Sequence, residues 1–276
     1  MKRLRFCFLS AALILFFAVK LALIGQEAHF APKVGREGLE NILAKENFSA
    51  EDYQILMEQT GLGRAAVDEL KLGEAFSERV RAFQEQYFSP VHYESDSMFP
   101  TAREERLVYQ DGNEREIELA PLHDGDIILT RATHTMLWRH GHAAIVTDAQ
   151  NEETLESVVL GEKSSFQTLE KWKSYPSVLI LRAKDAEVGR QAAKYAKEHL
   201  SGIDYSLFVG IKKKDKQNMS QIDSTQCAHL VWQAYRASGI DIDSNGGWLV
   251  LPKDIINSKE LDIVQIFGFS PEILSR

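Results

Sequence analysis

The chain has 276 residues, 44% hydrophobic and 26% charged, with a net charge of −8. That length suits one large domain or two small ones, and the composition is that of a folded protein. Residues 1–25 hold Lys2, Arg3, Arg5 and Lys20 and no acid, so the remainder carries −12; a nucleic-acid binder would show a basic face instead.

The first stretch reads MKRLRFCFLSAALILFFAVKLALIG. A basic start precedes a 14-residue apolar run, Phe6 to Val19, which Lys20 interrupts. The basic start predicts an N-in orientation, with the rest outside the cytoplasm. Residues 1–25 read either as a cleaved signal peptide or as an uncleaved membrane anchor, which needs about 20 apolar residues. No small-x-small site follows closely, and Phe6 to Gly25 has the length to span if Lys20 snorkels. The anchor is therefore favoured, giving an extracytoplasmic chain, membrane-anchored or secreted. Cys7 lies too early to be a lipid-attachment cysteine.

From Gly38 to about Tyr87 apolar residues recur three or four apart, which predicts helices over LENILAKENF, SAEDYQILMEQTGLG, RAAVDELKLG and EAFSERVRAFQEQYF. Ser49 with Asp52 forms a capping arrangement, and Gly61 and Gly63 punctuate the next boundary. This region is a helical arm packed on the body or a spacer from a membrane, and it carries no cluster of chemical groups. Residues 89–104, with a proline near each end, read as a linker. The expected division is 1–25 signal or anchor, 26–100 helical region and linker, and 101–276 body.

In the body the pattern changes to period two. Asp111-Gly112 predicts a hairpin joining RLVYQ to EREIELA. Four further strands are expected, within HDGDIILTRA, GHAAIVTDA, TLESVVLG and PSVLILRA. A helix follows in DAEVGRQAAKYAKEHL, then a polar loop with the basic run KKKDK at 212–216, read as solvated. Next come a helix beginning near STQCAHLVWQAY and short elements in PKDIINS and LDIVQIF. Consecutive antiparallel strands with helices grouped around them make this α+β.

The chemistry concentrates at Cys227. Cys7 lies in the apolar N-terminal run, so Cys227 has no intramolecular disulfide partner. Ser224 or Thr225 is a suitable N-cap, which puts Cys227 in the first helical turn. There the unpaired N–H groups and the helix dipole favour a thiolate and an adjacent oxyanion. The bland alternative is a buried cysteine on the stripe of Leu230, Val231, Ala234 and Tyr235. A nucleophilic thiol needs a base, and His142 opens the strand HAAIVTD, whose small neighbours leave room beside the imidazole. A base needs an orienter, and Glu156 sits on an apolar strand face, where a carboxylate wants a partner. The short turn between the two strands makes them antiparallel neighbours, with Glu156 a residue or two from the His142 region.

DGDIILT, HGHAAIVTD, LES, LEKWKSYPSVLILRA, STQCAHLVWQAYRASGIDI and LPKDIINS, in that order, resemble the circularly permuted branch of the NlpC-like papain-fold superfamily. The YiiX/YebB-like hydrolases are the nearest group, and the resemblance covers about 120–265. It implies a permuted papain-like core with Cys227 as nucleophile, His142 as base and Glu156 as orienting residue. Tyr205, in GIDYSLF, is implied to line the site or its oxyanion hole. The implied function is an extracytoplasmic thiol hydrolase cleaving an amide or acyl bond through an acyl-thioester, with no cofactor. Relatives act on cell-wall peptides or on acyl lipids, and either substrate is open here. Asp126 is expected to serve structure. Two rivals remain. One is a zinc hydrolase site drawn from His134, His140 and His142 with His123 or Glu156. The other is a non-catalytic envelope binding module with a papain-like cleft. Trp172, Trp232 and Trp248 are candidates for a groove lining or for core.

Overall fold

A computed structural model describes residues 27–99, 102–135, 139–207, 209, 223–247 and 249–270. The apolar N-terminal run, the KKKDK stretch and Trp248 lie outside them. Among the described residues no helix is long and apolar enough to cross a membrane.

The described residues open with four helices: α1 (Glu40–Leu43), α2 (Ala50–Thr60), α3 (Arg64–Leu72) and α4 (Phe76–Phe88). The Ser49 cap forms as the sequence predicts. The Asp52 N–H donates to Ser49 Oγ at 3.2 Å, and the Ser49 N–H donates to Asp52 Oδ2 at 2.8 Å. Gly61 ends α2 at φ 72°, and a Cβ there would lie 2.0 Å from the Ile266 carbonyl oxygen. That close approach lets the chain between α2 and α3 run along a sheet edge. Ile266 N–H donates to Gly61 O at 2.6 Å, and Gly63 N–H donates to Val264 O at 2.8 Å.

The body holds a six-stranded, fully antiparallel sheet. Its strands are β3 (Ile127–Thr130), β5 (His142–Asp148), β6 (Glu153–Glu156), β7 (Ser165–Thr168), β8 (Val178–Ala183) and β11 (Leu261–Phe267), in the order β11-β8-β3-β5-β6-β7. Three helices, α6 (Ala186–His199), α7 (Cys227–Ala237) and α8 (Pro252–Ile256), cover one face. There Ala192, Val231 and Ile255 pack with Leu129, Ala143, Ile145 and Leu155. On the other face Leu56, Val67 and Phe83 of the N-terminal helices pack with Ile128, Ala144 and Val146. Both faces are thus dry, which is why Ile127, Ile128 and Leu129 are consecutive and all buried. The helical region is packed on the body rather than held away from it.

Several expectations need correction. Residues 89–104 are no linker: β1 (His92–Phe99) pairs with β2 (Ala102–Val108), and β2 pairs with β4 (Thr133–Thr135). The sequence HYESDSMF hides this strand because residues 92–97 face solvent, so no apolar alternation marks it. The Asp111-Gly112 turn forms, with Gly112 at φ 83°, but the predicted second strand does not. Instead Ile117 N–H donates to Lys173 O at 2.8 Å and Ala120 N–H to the Gln265 side chain at 2.7 Å. The TLESVVLG strand stops at Glu156, and Val158 to Leu160 leave the sheet. Strands β4 and β7 and the short helix α5 (Glu170–Lys173) are additions that the sequence pattern does not announce.

Candidate active site

Three elements meet at one end of the six-stranded sheet. The first is α7. Its N-cap is Gln226, not Ser224 or Thr225, and Gln226 is extended at φ −142°. Ser224 and Thr225 form β10, which pairs in parallel with β9 (Asp204–Tyr205), so Thr225 lies opposite Tyr205. The Gln226 amide is fixed at both ends. Its Nε2 donates to Val250 O at 2.6 Å, and its Oε1 accepts from Ala228 N–H at 3.1 Å and from the Cys227 thiol at 3.3 Å. Cys227 is thereby held at the first helical position, where a backbone N–H has no intrahelical acceptor.

The second element is β5, which begins at His142 opposite Thr130. Gly141, just before it, takes φ 71°, and a Cβ there would lie 2.6 Å from Thr130 O. Only glycine turns the chain so tightly into the strand. By alternation His142 shares the face of Ala144 and Val146. Its ring stacks on Trp172 of that layer, centroids 5.6 Å apart and 15° between planes. Being the first residue of the strand, it also lines the same cleft as Cys227 of the helix on the opposite face, and the imidazole hydrogen-bonds Glu156.

The third element is β6. Register pairs Ile145 with Leu155 and Val146 with Thr154, so Glu156 falls diagonally across from His142, within reach of a long side chain. The ring Nε2 sits 2.7 Å from Glu156 Oε2. This leaves Nδ1 for the thiol. Glu156 is fully buried and accepts three further hydrogen bonds: from Lys171 Nζ to Oε2 at 2.6 Å, from Trp172 Nε1 to Oε1 at 2.9 Å and from Thr154 Oγ1 to Oε1 at 2.7 Å. Four donors match the roughly four lone-pair sites of an ionised carboxylate.

Electrostatics follow from that geometry. Burial alone would raise the Glu156 pKa, but the hydrogen bonds and charges of His142 and Lys171 overturn it and hold the carboxyl at about 2. Burial alone would lower His142, yet the neighbouring Cys227 and the hydrogen-bonded Glu156 raise it to about 9. At neutral pH the site therefore favours a charged imidazole between sulfur and carboxylate. The Tyr205 phenol is pushed up by burial and by the neighbouring Cys227.

Cys227 is 8% exposed, and what it shows opens on a cleft of about 250 Å³. Its lining includes the apolar side chains of Val158, Val159, Leu160, Leu207, Leu249 and Leu251. Tyr205, Tyr175 and Glu104 complete the lining with Thr133 of β4. Thus Val158 to Leu160, which the sequence suggests as strand, serve as cleft wall instead.

The structure brings Cys227, His142, Glu156 and Tyr205 to one place. The other histidines of the zinc alternative have partners of their own. His134 pairs with Glu105 at 3.2 Å, His123 with Glu69 at 3.0 Å, and His140 contacts Thr135 at 3.1 Å. Among the described residues no three His, Cys, Asp or Glu side chains converge as a metal site. Asp126 is buried at 2.7 Å from the Arg182 guanidinium, away from the cleft. Trp232 packs in the core, whereas Trp172 is buried as a donor to Glu156. Gln226 and Lys171 are site residues that sequence reasoning missed, as it missed the role of Trp172 as a donor to Glu156. The available signal was the buried Glu156, whose need for donors is met by the adjacent Lys171-Trp172 pair.

No protein-family model matches the chain, and neither curated proteins nor solved structures match it.

Proposed function

We propose that this chain is an extracytoplasmic thiol hydrolase that cleaves an amide or acyl bond on a permuted papain-like core. One observation carries the reading: a buried imidazole, hydrogen-bonded to a buried carboxylate, lines the same cleft as a sulfur at a helix mouth, and that cleft has apolar side chains in its lining. His142 takes the Cys227 proton, and the thiolate adds to the acyl carbon, forming a C–S bond while the carbonyl π pair moves onto oxygen. The Cys227 N–H at the helix mouth, with Tyr205 beside it, stabilises that oxyanion. Collapse breaks the bond to the leaving amine or alkoxide, which takes the proton from His142. Water, deprotonated by His142, then cleaves the thioester to release the acid and restore the thiol. Glu156 holds the imidazole in the tautomer that presents Nδ1 to sulfur.

The cleft wall favours a substrate whose acyl side is apolar, an acyl lipid over a polar cell-wall peptide. The test incubates purified protein with acyl lipids and with peptidoglycan fragments and reads the products by mass spectrometry. Acyl release that disappears in Cys227→Ala is expected. Turnover of neither substrate, together with iodoacetamide alkylation of Cys227 that follows an ordinary thiol near pKa ~8.5 in wild type and His142→Ala alike, would overturn the reading.

A further inference from the structure

We infer that Lys171 is a positioning residue of this site, one that limits how firmly His142 holds its proton by competing for the same carboxylate oxygen. The inference rests on the proposed role of His142 as base. Lys171 Nζ lies 2.6 Å and His142 Nε2 2.7 Å from Glu156 Oε2. With 2.6 Å and 2.7 Å to the same oxygen, the two cationic nitrogens are at most 5.3 Å apart, close enough for like charges to repel appreciably in a partly buried site. Oε1 offers no relief, because Trp172 and Thr154 already donate to it.

Two effects then act in one direction. The ammonium withdraws part of the Oε2 charge that would otherwise stabilise the imidazolium, and it adds a positive charge beside the ring. Other groups near the ring do not undo this. Cys227 from α7 and Glu156 from β6 favour the charged ring. His140, just before β5, is itself held towards neutral by burial. Tyr205 from β9, and Tyr175 beside Glu104 from β2, have phenols raised by burial and so stay uncharged. Lys171 is the cation in direct contact with the partner carboxylate, and its side chain is 21% exposed, so it reaches this position from the surface. A base that holds its proton too firmly gives it up slowly to the leaving group, and until it has done so it cannot accept one from water in the second half of the cycle. Lys171 keeps the imidazole within working range while leaving Glu156 ionised.

The experiment is an NMR titration of the full chain with carbon-13-labelled histidine, the His142 resonance assigned by its loss in His142→Ala. In Lys171→Met the His142 midpoint should rise, by on the order of 1 pH unit, while Lys171→Arg stays near wild type. Should Lys171→Met not fold, Lys171→Gln carries the same test, since it keeps a donor and removes the charge. A midpoint unmoved or lowered in a folded neutral variant would overturn the inference. The titration needs no turnover. Cys227 alkylation that is indifferent to His142 would sink the thiol-hydrolase reading while leaving the Lys171 result standing.

Discussion

At the scale of single residues, the site is an exercise in satisfying one buried acid. Glu156 has no access to water, so its charge survives only because four donors surround it. Glu156→Gln removes the charge that supports the imidazolium and brings an NH2 group among existing donors. Turnover should fall by on the order of 10,000-fold, less than in Cys227→Ala, and the alkaline limb of the pH–rate profile should move to lower pH. A profile unmoved in shape would show that Glu156 does not act through the ring. The same pair predicts how stability depends on pH. His142 is raised to about 9 from an ordinary 6.5, so its stabilising contribution is complete below pH 6.5 and is lost as pH climbs through 9. Glu156 is lowered to about 2 from 4.5, so its contribution is complete above pH 4.5 and is lost as pH falls through 2. Urea midpoints should therefore be highest between those limits, and Glu156→Gln should flatten the alkaline decline. Cys227, His142 and Glu156 were legible because each residue type is out of place in its local pattern: a thiol at a helix mouth, an imidazole opening an apolar strand, an acid on an apolar face. Lys171 was not legible, since a lysine in a polar stretch reads as solvated until the acid that it meets is known.

At the scale of elements, the position of the sulfur depends on how α7 starts. The sequence offered Ser224 and Thr225 as caps, good residues on propensity alone. The fold uses them as a parallel strand beside Tyr205 and leaves capping to Gln226, because pairing with β9 engages their backbone. Tertiary pairing overrode a local preference. Gln226→Ala should lose a cap worth about 1 kcal/mol and also free the thiol from its 3.3 Å contact with Oε1. The expected signature is a lower thermal midpoint with faster iodoacetamide alkylation of Cys227 at neutral pH. Slower alkylation would mean that the amide presents the sulfur rather than restrains it. The strands reveal the same limit of local pattern. Strands β3, β5 and β8 were readable as apolar runs because both faces are covered. Strand β1 was hidden because its outward residues are polar on both sides. The polar hairpin matters all the same, since Ala102, Arg103 and Glu104 of β2 form part of the cleft wall.

For the whole molecule, the main question left by the sequence was whether the helical region belongs to the body or stands between it and a membrane. Leu56, Val67 and Phe83 lie in the same buried cluster as Ile128, Ala144, Val146 and Trp172. That cluster runs without interruption from the N-terminal helices to the indole on which His142 stacks. Nothing in the helical periodicity could have shown this, because an amphipathic stripe states that a partner exists without naming it. The continuity has a thermodynamic consequence. If helices and sheet share one core, they unfold together, and the site is lost with them. Phe83→Ala, far from the sulfur along the chain, should cost about 3–5 kcal/mol. Tryptophan fluorescence and the urea dependence of Cys227 alkylation should then shift to lower urea by the same amount. Two separate transitions, with Cys227 protection surviving the loss of the helices, would mean that the helical region is an independent layer and that the active-site end of the sheet stands without it.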